Sequence, residues 1–204
     1  MIPNDQSGTD NPTKEAIIKA AESLFIERGF AATPTSLIAR KAKVTKSLIH
    51  HYFGSKDKLW REIKRRRLYH YFEMQKNQLA LAEPNAQCLE DAIVNFFELL
   101  KSDPGLVRLF GWYLIEDIVE PDEEEQVLGA MGAKVLKEAQ REGNIRQDVD
   151  PKYVIIAFCC LVVHWHQAKD HYLGWFGADS SSGKTDEEYL ENILKIFFEG
   201  VLPR

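Results

Sequence analysis

The stretch Thr45–Lys58, TKSLIHHYFGSKDK, decides how this chain is read. Thr45 is a helix-capping residue type, and Gly54 is a helix terminator. Between them Ile49 and Phe53 stand four apart and share one face with Val44. Turned inward, that face leaves Lys46, Ser47 and His50 on the outside, close to the helix start. Lys46 can donate to guanine O6 or N7, and Ser47 is small enough for close approach to a base edge. His51 and Tyr52 follow, with rings able to lie against a phosphate backbone. Ser55 then caps a further helix, whose free N–H groups, dipole and Lys56 charge favour a phosphate.

Working outward, the segments before this stretch complete a three-helix unit. Thr13 is read as the cap of a first helix carrying Ile17, Ala21, Leu24 and Phe25 at helical spacing, ended by Gly29. Thr33 is read as the cap of a short second helix, with Pro34 at its first position and Ile38, Ala39 and Ala42 on its buried face. Lys43 and Val44 make the turn between the second and third helices. Two short helices across a brief turn, braced by another helix, form a helix-turn-helix. Thr33, Thr35 and Ser36 supply donors at the start of the second helix.

Charge supports the same end of the chain. The 204 residues carry 26 Lys+Arg against 31 Asp+Glu, a net charge of −5. Thr13 to His70 holds 14 basic and 5 acidic residues, while the chain beyond holds 12 and 24. A basic head on an acidic body points to an anionic polymer at one end. The run Lys64-Arg65-Arg66-Arg67 reads first as a solvated helix face.

The remainder also reads as helix. A fourth helix runs from Ser55 toward Glu83-Pro84, a fifth from Asn85 to Lys101, and a sixth from Asp103-Pro104 to about Val119. Asp122 and Glu125 match a capping box for a seventh, closed by Gly143. Asp150-Pro151 opens an eighth, and Gly177–Lys184 is a loop. Thr185 and Glu188 match a capping box for a ninth. The expectation is an all-α protein of about nine helices, with a disordered arm (1–12), a DNA-binding head (13–58) and a helical body (59–204).

The segment from Ala16 to Trp60 resembles the TetR family of bacterial transcriptional regulators. The ordered set Gly29-Phe30, Ile38-Ala39, Ala42, Val44, Tyr52-Phe53 and Ser55-Lys56 carries the likeness. The resemblance implies base-facing roles for Lys46, Ser47 and His50. It implies phosphate contacts for Thr33, Thr35, His51, Tyr52 and Lys56, and for Ser36 a position that reads a base in some members. The chain departs from the family pattern at Lys43, where the turn usually has Gly. It departs again at Ser47-Leu48 in place of Gly-Thr, and at His50 in place of Tyr.

The resemblance also implies a small-molecule pocket in the body, with Phe96, Phe110, Tyr113, Phe158 and Trp165 as candidate lining residues. It implies a homodimer too. The all-apolar run Val154–Val163 on helix eight needs cover on every side, which helices eight and nine of two copies would provide. A two-fold dimer reads a palindromic operator in double-stranded DNA, and an effector that prefers the non-DNA state releases it.

Other functions find less support. No Gly-rich phosphate loop, GxSxG or HExxH occurs, so an enzyme is not expected. Three cysteines without a CxxC support neither a disulfide framework nor a zinc ribbon. His164 and His166 point apart on a helix, and His166 with Asp170 lacks a third ligand, so no metal and no cofactor is expected. The amino-terminal residues lack a signal-peptide pattern, and no apolar run is long enough to span a bilayer, which together give a cytoplasmic expectation. The remaining alternative is a helical dimer that binds partner proteins and carries a non-regulatory head.

Overall fold

The computed structural model describes residues 11–116, 121–178 and 183–203. Among these residues there are nine helices and no strand. They are α1 (Pro12–Arg28), α2 (Thr35–Ala42), α3 (Lys46–Phe53), α4 (Lys56–Leu81), α5 (Ala86–Ser102), α6 (Pro104–Ile115), α7 (Glu123–Arg141), α8 (Pro151–Gly174) and α9 (Gly183–Val201). Most of the expected arm, residues 1–10, lies outside the described residues.

The chain divides into two compact units. The first takes the described chain up to Leu68 together with the segment that starts at Trp112. The second takes Tyr69–Gly111 and the chain from α7 onward. Both α4 and α6 therefore contribute residues to each unit.

In the first unit Ile17, Ala21, Phe25, Ile38, Ile49 and Leu59 form a core with almost no solvent exposure. Phe25 meets Trp60 edge-on at 4.9 Å between ring centroids and stacks with Phe30 at 5.8 Å. α4 is also tied to α1 by charge: Arg66 pairs with Glu15 and Arg67 with Glu22, each at 2.6 Å. Arg65 and Arg66 both reach Glu62. The basic run is thus largely a brace within the head rather than an open face.

In the second unit α8 packs against α5 and α7, and α5 meets α9. Val154, Phe158, Val162 and Trp165 are the buried positions of α8. The Trp165 ring lies parallel to that of Tyr189, centroids 3.8 Å apart, and its indole N–H donates to Asp186 at 2.9 Å. Lys169 joins the same carboxylate at 2.8 Å. Burial pushes the Asp186 carboxyl up, but the Lys169 ammonium and the indole N–H outweigh it and hold it below the usual carboxylate range.

Most helix ends follow their local signals. Thr45, Asn85 and Asp150 accept backbone N–H groups of their own first turns, and Asp122 with Glu125 makes a full capping box. Three starts and one end differ from expectation. Asn11, not Thr13, caps α1, by accepting from the Thr13 N–H. Pro34 occupies the cap position of α2, with no side-chain capping bond. α9 already begins at Gly183, which puts Thr185 inside the helix rather than at its cap. α6 ends at Ile115, earlier than expected, and Val119 lies outside the described residues.

The turn between α2 and α3 is made by a side-chain-bearing residue in the left-handed region. Lys43 has φ 56° and ψ 42°, and the Val44 N–H closes on the Ala39 carbonyl at 2.9 Å. A Cβ in this conformation costs about 1–2 kcal/mol, set against a glycine entropy cost of about 0.5–1 kcal/mol. Lys43→Gly should therefore stabilise the protein by about 0.5–1 kcal/mol in urea unfolding at unchanged m-value. An unchanged or lowered midpoint would show that the turn carries no strain.

Candidate nucleic-acid interface

α3 is an eight-residue helix with one buried face. Ile49 and Phe53 are 1% and 8% exposed, and Val44 is half-buried beside them. Lys46, Ser47, His50 and His51 are all exposed. The helix therefore presents its polar residues outward, as its spacing predicts.

Neighbouring groups orient that edge. The Thr45 hydroxyl accepts from the Leu48 N–H at 3.3 Å and lies 2.9 Å from the Ser47 hydroxyl. His50 Nδ1 is 3.0 Å from the Gly54 carbonyl. A carbonyl only accepts, so Nδ1 carries the proton. In the neutral ring Nε2 is then an outward acceptor, suited to an exocyclic amine of adenine or cytosine. The His51 and Tyr52 rings meet edge-on at 5.4 Å. Tyr52 is half-buried, and its hydroxyl accepts from the Asn11 amide at 2.7 Å.

At α2, Ser36 is exposed and Thr35 half-buried in the first turn, where backbone N–H groups lack helical partners. Lys41 and Lys43 extend the exposed positive surface around the turn.

Two expected phosphate contacts sit elsewhere. Thr33 has no solvent exposure, and its hydroxyl donates to the Gly29 carbonyl at 2.6 Å. It closes the α1–α2 turn from inside. Lys56 donates to the Phe30 carbonyl at 2.7 Å and lies 3.9 Å from the Phe30 ring centroid. Burial pushes its ammonium below the usual lysine range, against the opposing pull of Asp57 and Glu116. In this conformation Lys56 holds the same turn rather than standing open to solvent.

Residues after the head reach this turn too, within the same compact unit. Glu116 accepts from the Phe30 N–H at 2.9 Å and the Ala31 N–H at 3.0 Å. Trp112 donates its indole N–H to the Ile26 carbonyl at 3.3 Å. Sequence spacing gave no sign of these partners, because 85 or 86 positions separate each pair.

The five candidate effector-contacting aromatics have different surroundings. Phe158 lines a small apolar crevice of about 10 Å³ with Ile93, Val162 and Phe197. A larger hollow of about 380 Å³ opens beside Gln78, Leu81, Cys88 and Asp91. Phe96, Phe110, Tyr113 and Trp165 line neither. Phe96 is buried against the Tyr71 ring, with centroids 5.6 Å apart. Tyr113 belongs to the first unit, with the Lys64 ammonium 4.8 Å above its ring. Trp165 is a packing residue against Tyr189. The second unit does hold buried polar atoms: Gln75 is 3% exposed, and its amide Nε2 has no partner. Burial pushes the Cys159 thiol up to about 12, with Cys160 adding to the shift. Among the described residues no cluster of three or more His, Cys, Asp or Glu could hold a metal. Nor is any helix long and apolar enough to cross a membrane.

Comparison with known proteins bears on both units. Residues 17–63 match the family model described as bacterial regulatory proteins, tetR family. Residues 89–188 match that of the tetracyclin repressor-like C-terminal domain. The HTH-type transcriptional repressor NicS of Pseudomonas putida is 24% identical over 200 residues, covering 93% of this chain and 92% of NicS. A putative tetR family transcription regulator from Shewanella superposes with a TM-score of 0.72 at 18% identity, over 94% of this chain and 99% of that one. AibR, solved with isovaleryl coenzyme A and operator DNA, superposes with a TM-score of 0.64 at 19% identity, over 90% and 97%.

The placement of Thr33 separates folding from recognition. Thr33→Val removes the hydroxyl and leaves the buried Gly29 carbonyl without that donor, which costs about 1 kcal/mol. Thermal unfolding should register this loss. DNA affinity of the folded protein should be unchanged, and a specific loss of affinity at full stability would return Thr33 to the interface.

Proposed function

Because the chain belongs to the TetR family of bacterial regulatory proteins, we propose that it is a ligand-responsive transcriptional repressor. In this reading it binds a palindromic operator as a homodimer, and a small-molecule effector releases it. The observation that carries the reading is the exposed edge Lys46, Ser47 and His50, held outward by the buried Ile49 and Phe53. Its family and its relatives are regulators rather than enzymes, and we assign this chain no catalytic step. A DNA-binding regulator of this kind works in the cytoplasm.

The functional division follows the sequence: a DNA-binding head over 13–58, and a body over 59–204 that takes the effector and the second subunit. Lys46, Ser47 and His50 read bases. Thr35, Ser36, His51 and Tyr52 hold phosphates and set register. Lys56 reaches a phosphate only on leaving the Phe30 carbonyl. The effector sits in the body beside Phe96 and Phe158. AibR, similar in fold, was solved with both isovaleryl coenzyme A and operator DNA; in the present chain release requires an effector that binds the non-DNA state more tightly than the DNA-bound one.

The dimer forms through α8 and α9. Tyr153, Ile156, Cys160 and His164 are exposed along one side of α8, and Ile196 is 66% exposed on α9. Packed against a second copy, they place two recognition helices about 34–36 Å apart, or a multiple of that.

Selection from random DNA should yield an inverted repeat, and affinity for it should fall with salt at a log–log slope of about −0.9 per phosphate contacted. Lys46→Ala should flatten base preference at one position of each half-site, at a cost of about 1–3 kcal/mol for that base. Recovery of no sequence, or salt-independent binding, would remove the regulator reading and favour a protein-interaction module. Ile156→Glu should halve the mass seen by sedimentation and weaken operator binding together. An unchanged mass would put the subunit contact elsewhere.

A further inference from the structure

We propose that Glu116 is a positioning residue through which the end of α6 sets the placement of the α1–α2 turn, and so of the DNA-contacting start of α2. The inference rests on the regulator reading above and names where a signal enters the head.

Both N–H groups that follow Gly29 end on one carboxylate oxygen of Glu116, at 2.9 and 3.0 Å. Hydrogen bonds to an ionised acceptor are about twice as strong as neutral ones. The approach is close because Gly29 has no side chain. A Cβ there would lie 2.5 Å from the other Glu116 oxygen and 2.8 Å from the Trp112 ring. Gly29 also has φ 79°, a backbone conformation that disfavours a side chain for its own reason. Trp112, one helical turn before Glu116, holds the Ile26 carbonyl.

The far side of the turn is held just as firmly. Lys56, the first residue of α4, donates to the Phe30 carbonyl, and Thr33 donates to the Gly29 carbonyl. The turn therefore has fixed contacts on α6 and on α4, and Thr35 and Ser36 follow it directly. A displacement of α6 that breaks the Glu116 contact frees two N–H groups at once, with no intermediate grip. Both bonds therefore depend on the position of one side chain and change together, the cooperative response an allosteric coupling needs. Lys56 is released in the same event only if the Phe30 carbonyl moves, which links a phosphate-reaching charge to the state of α6.

Glu116→Leu removes both acceptors at similar size, and Glu116→Gln keeps a carbonyl oxygen that can accept. Hydrogen exchange of the full-length protein, followed by mass spectrometry, reads the result without any effector. In the wild type the Phe30 and Ala31 amides should exchange slowly. In Glu116→Leu they should exchange about tenfold faster or more, with Glu116→Gln between. Saturation with the selected operator should alter exchange along Pro104–Ile115 in the wild type, because coupling is reciprocal. That response should vanish in Glu116→Leu while DNA binding itself persists. Should Glu116→Leu not fold, Glu116→Gln carries the same comparison with a smaller change. Unaltered exchange of the two amides, or a DNA response of α6 that survives the substitution, overturns the proposal. A wild type that binds no DNA at all overturns the regulator reading instead, and is told apart because the amide exchange is read on free protein.

Discussion

Phe30 uses every group it has to hold the head together. Its ring packs on Phe25 and lies 5.7 Å from the Trp60 centroid. Its N–H is bound by Glu116, and its carbonyl accepts from Lys56 and from the Thr33 N–H at 3.2 Å. Aromatic packing of this kind is worth about 0.5–1.5 kcal/mol per pair beyond the area it buries. The polar bonds are individually modest, but each would leave a partly buried backbone group unsatisfied if lost. α1, α2 and α4 take their mutual placement from this residue, and α3 is packed against the result.

The exposed edge of α3 is a consequence of that placement. A helix of eight residues has two turns, so only Ile49 and Phe53 can be fully committed to a core. Leu48 and Tyr52 are half-buried, and Lys46, Ser47, His50 and His51 are left exposed. Basic residues are spent differently at the two ends of the head. Around α2 and α3, Lys43 and Lys46 stay exposed, whereas Arg66 and Arg67 on α4 pair with carboxylates of α1. Net charge read from sequence therefore overstates the positive field available to DNA. The usable part lies at the turn and along the leading edge of α3.

How much of this was legible depended on the range of the interaction. Thr45, Asp122 with Glu125, and Asp150 act on their own first turns, so sequence spacing identified them correctly. Lys43 could be placed in the tight turn for the same reason, although it is not glycine. At Thr33 the local rule failed because a buried carbonyl of the preceding helix competed for its hydroxyl. The Asn11 cap displaced Thr13 because Pro12, which has no N–H to donate, suits the first helical position. Lys56 and Glu116 were illegible, since their partners are far along the chain and follow no helical period. Aromatic residues in the body carried the weakest signal. The same stripe fills a core or lines a pocket, and Trp165 shows the first outcome by stacking on Tyr189.

α8 shows why an apolar run can serve two purposes at once. Val154, Phe158, Val162 and Trp165 follow one another at helical spacing and are buried within the chain. Tyr153, Ile156, Cys160 and His164 follow the same period on an adjacent side and stay exposed. A helix needing only one partner would carry polar residues along that second side. Here the polar contacts are concentrated farther along, where Trp165 and Lys169 hold Asp186 on α9. This internal clamp fixes α9 beside α8 without using the outer stripe. The stripe is therefore left intact and preformed, which keeps the ordering cost of pairing with an identical surface low. An isologous contact repeats every interaction across its axis. In the proposed dimer this stripe, doubled across the axis, is the surface that would set the register of two heads, and that register is what a palindrome requires.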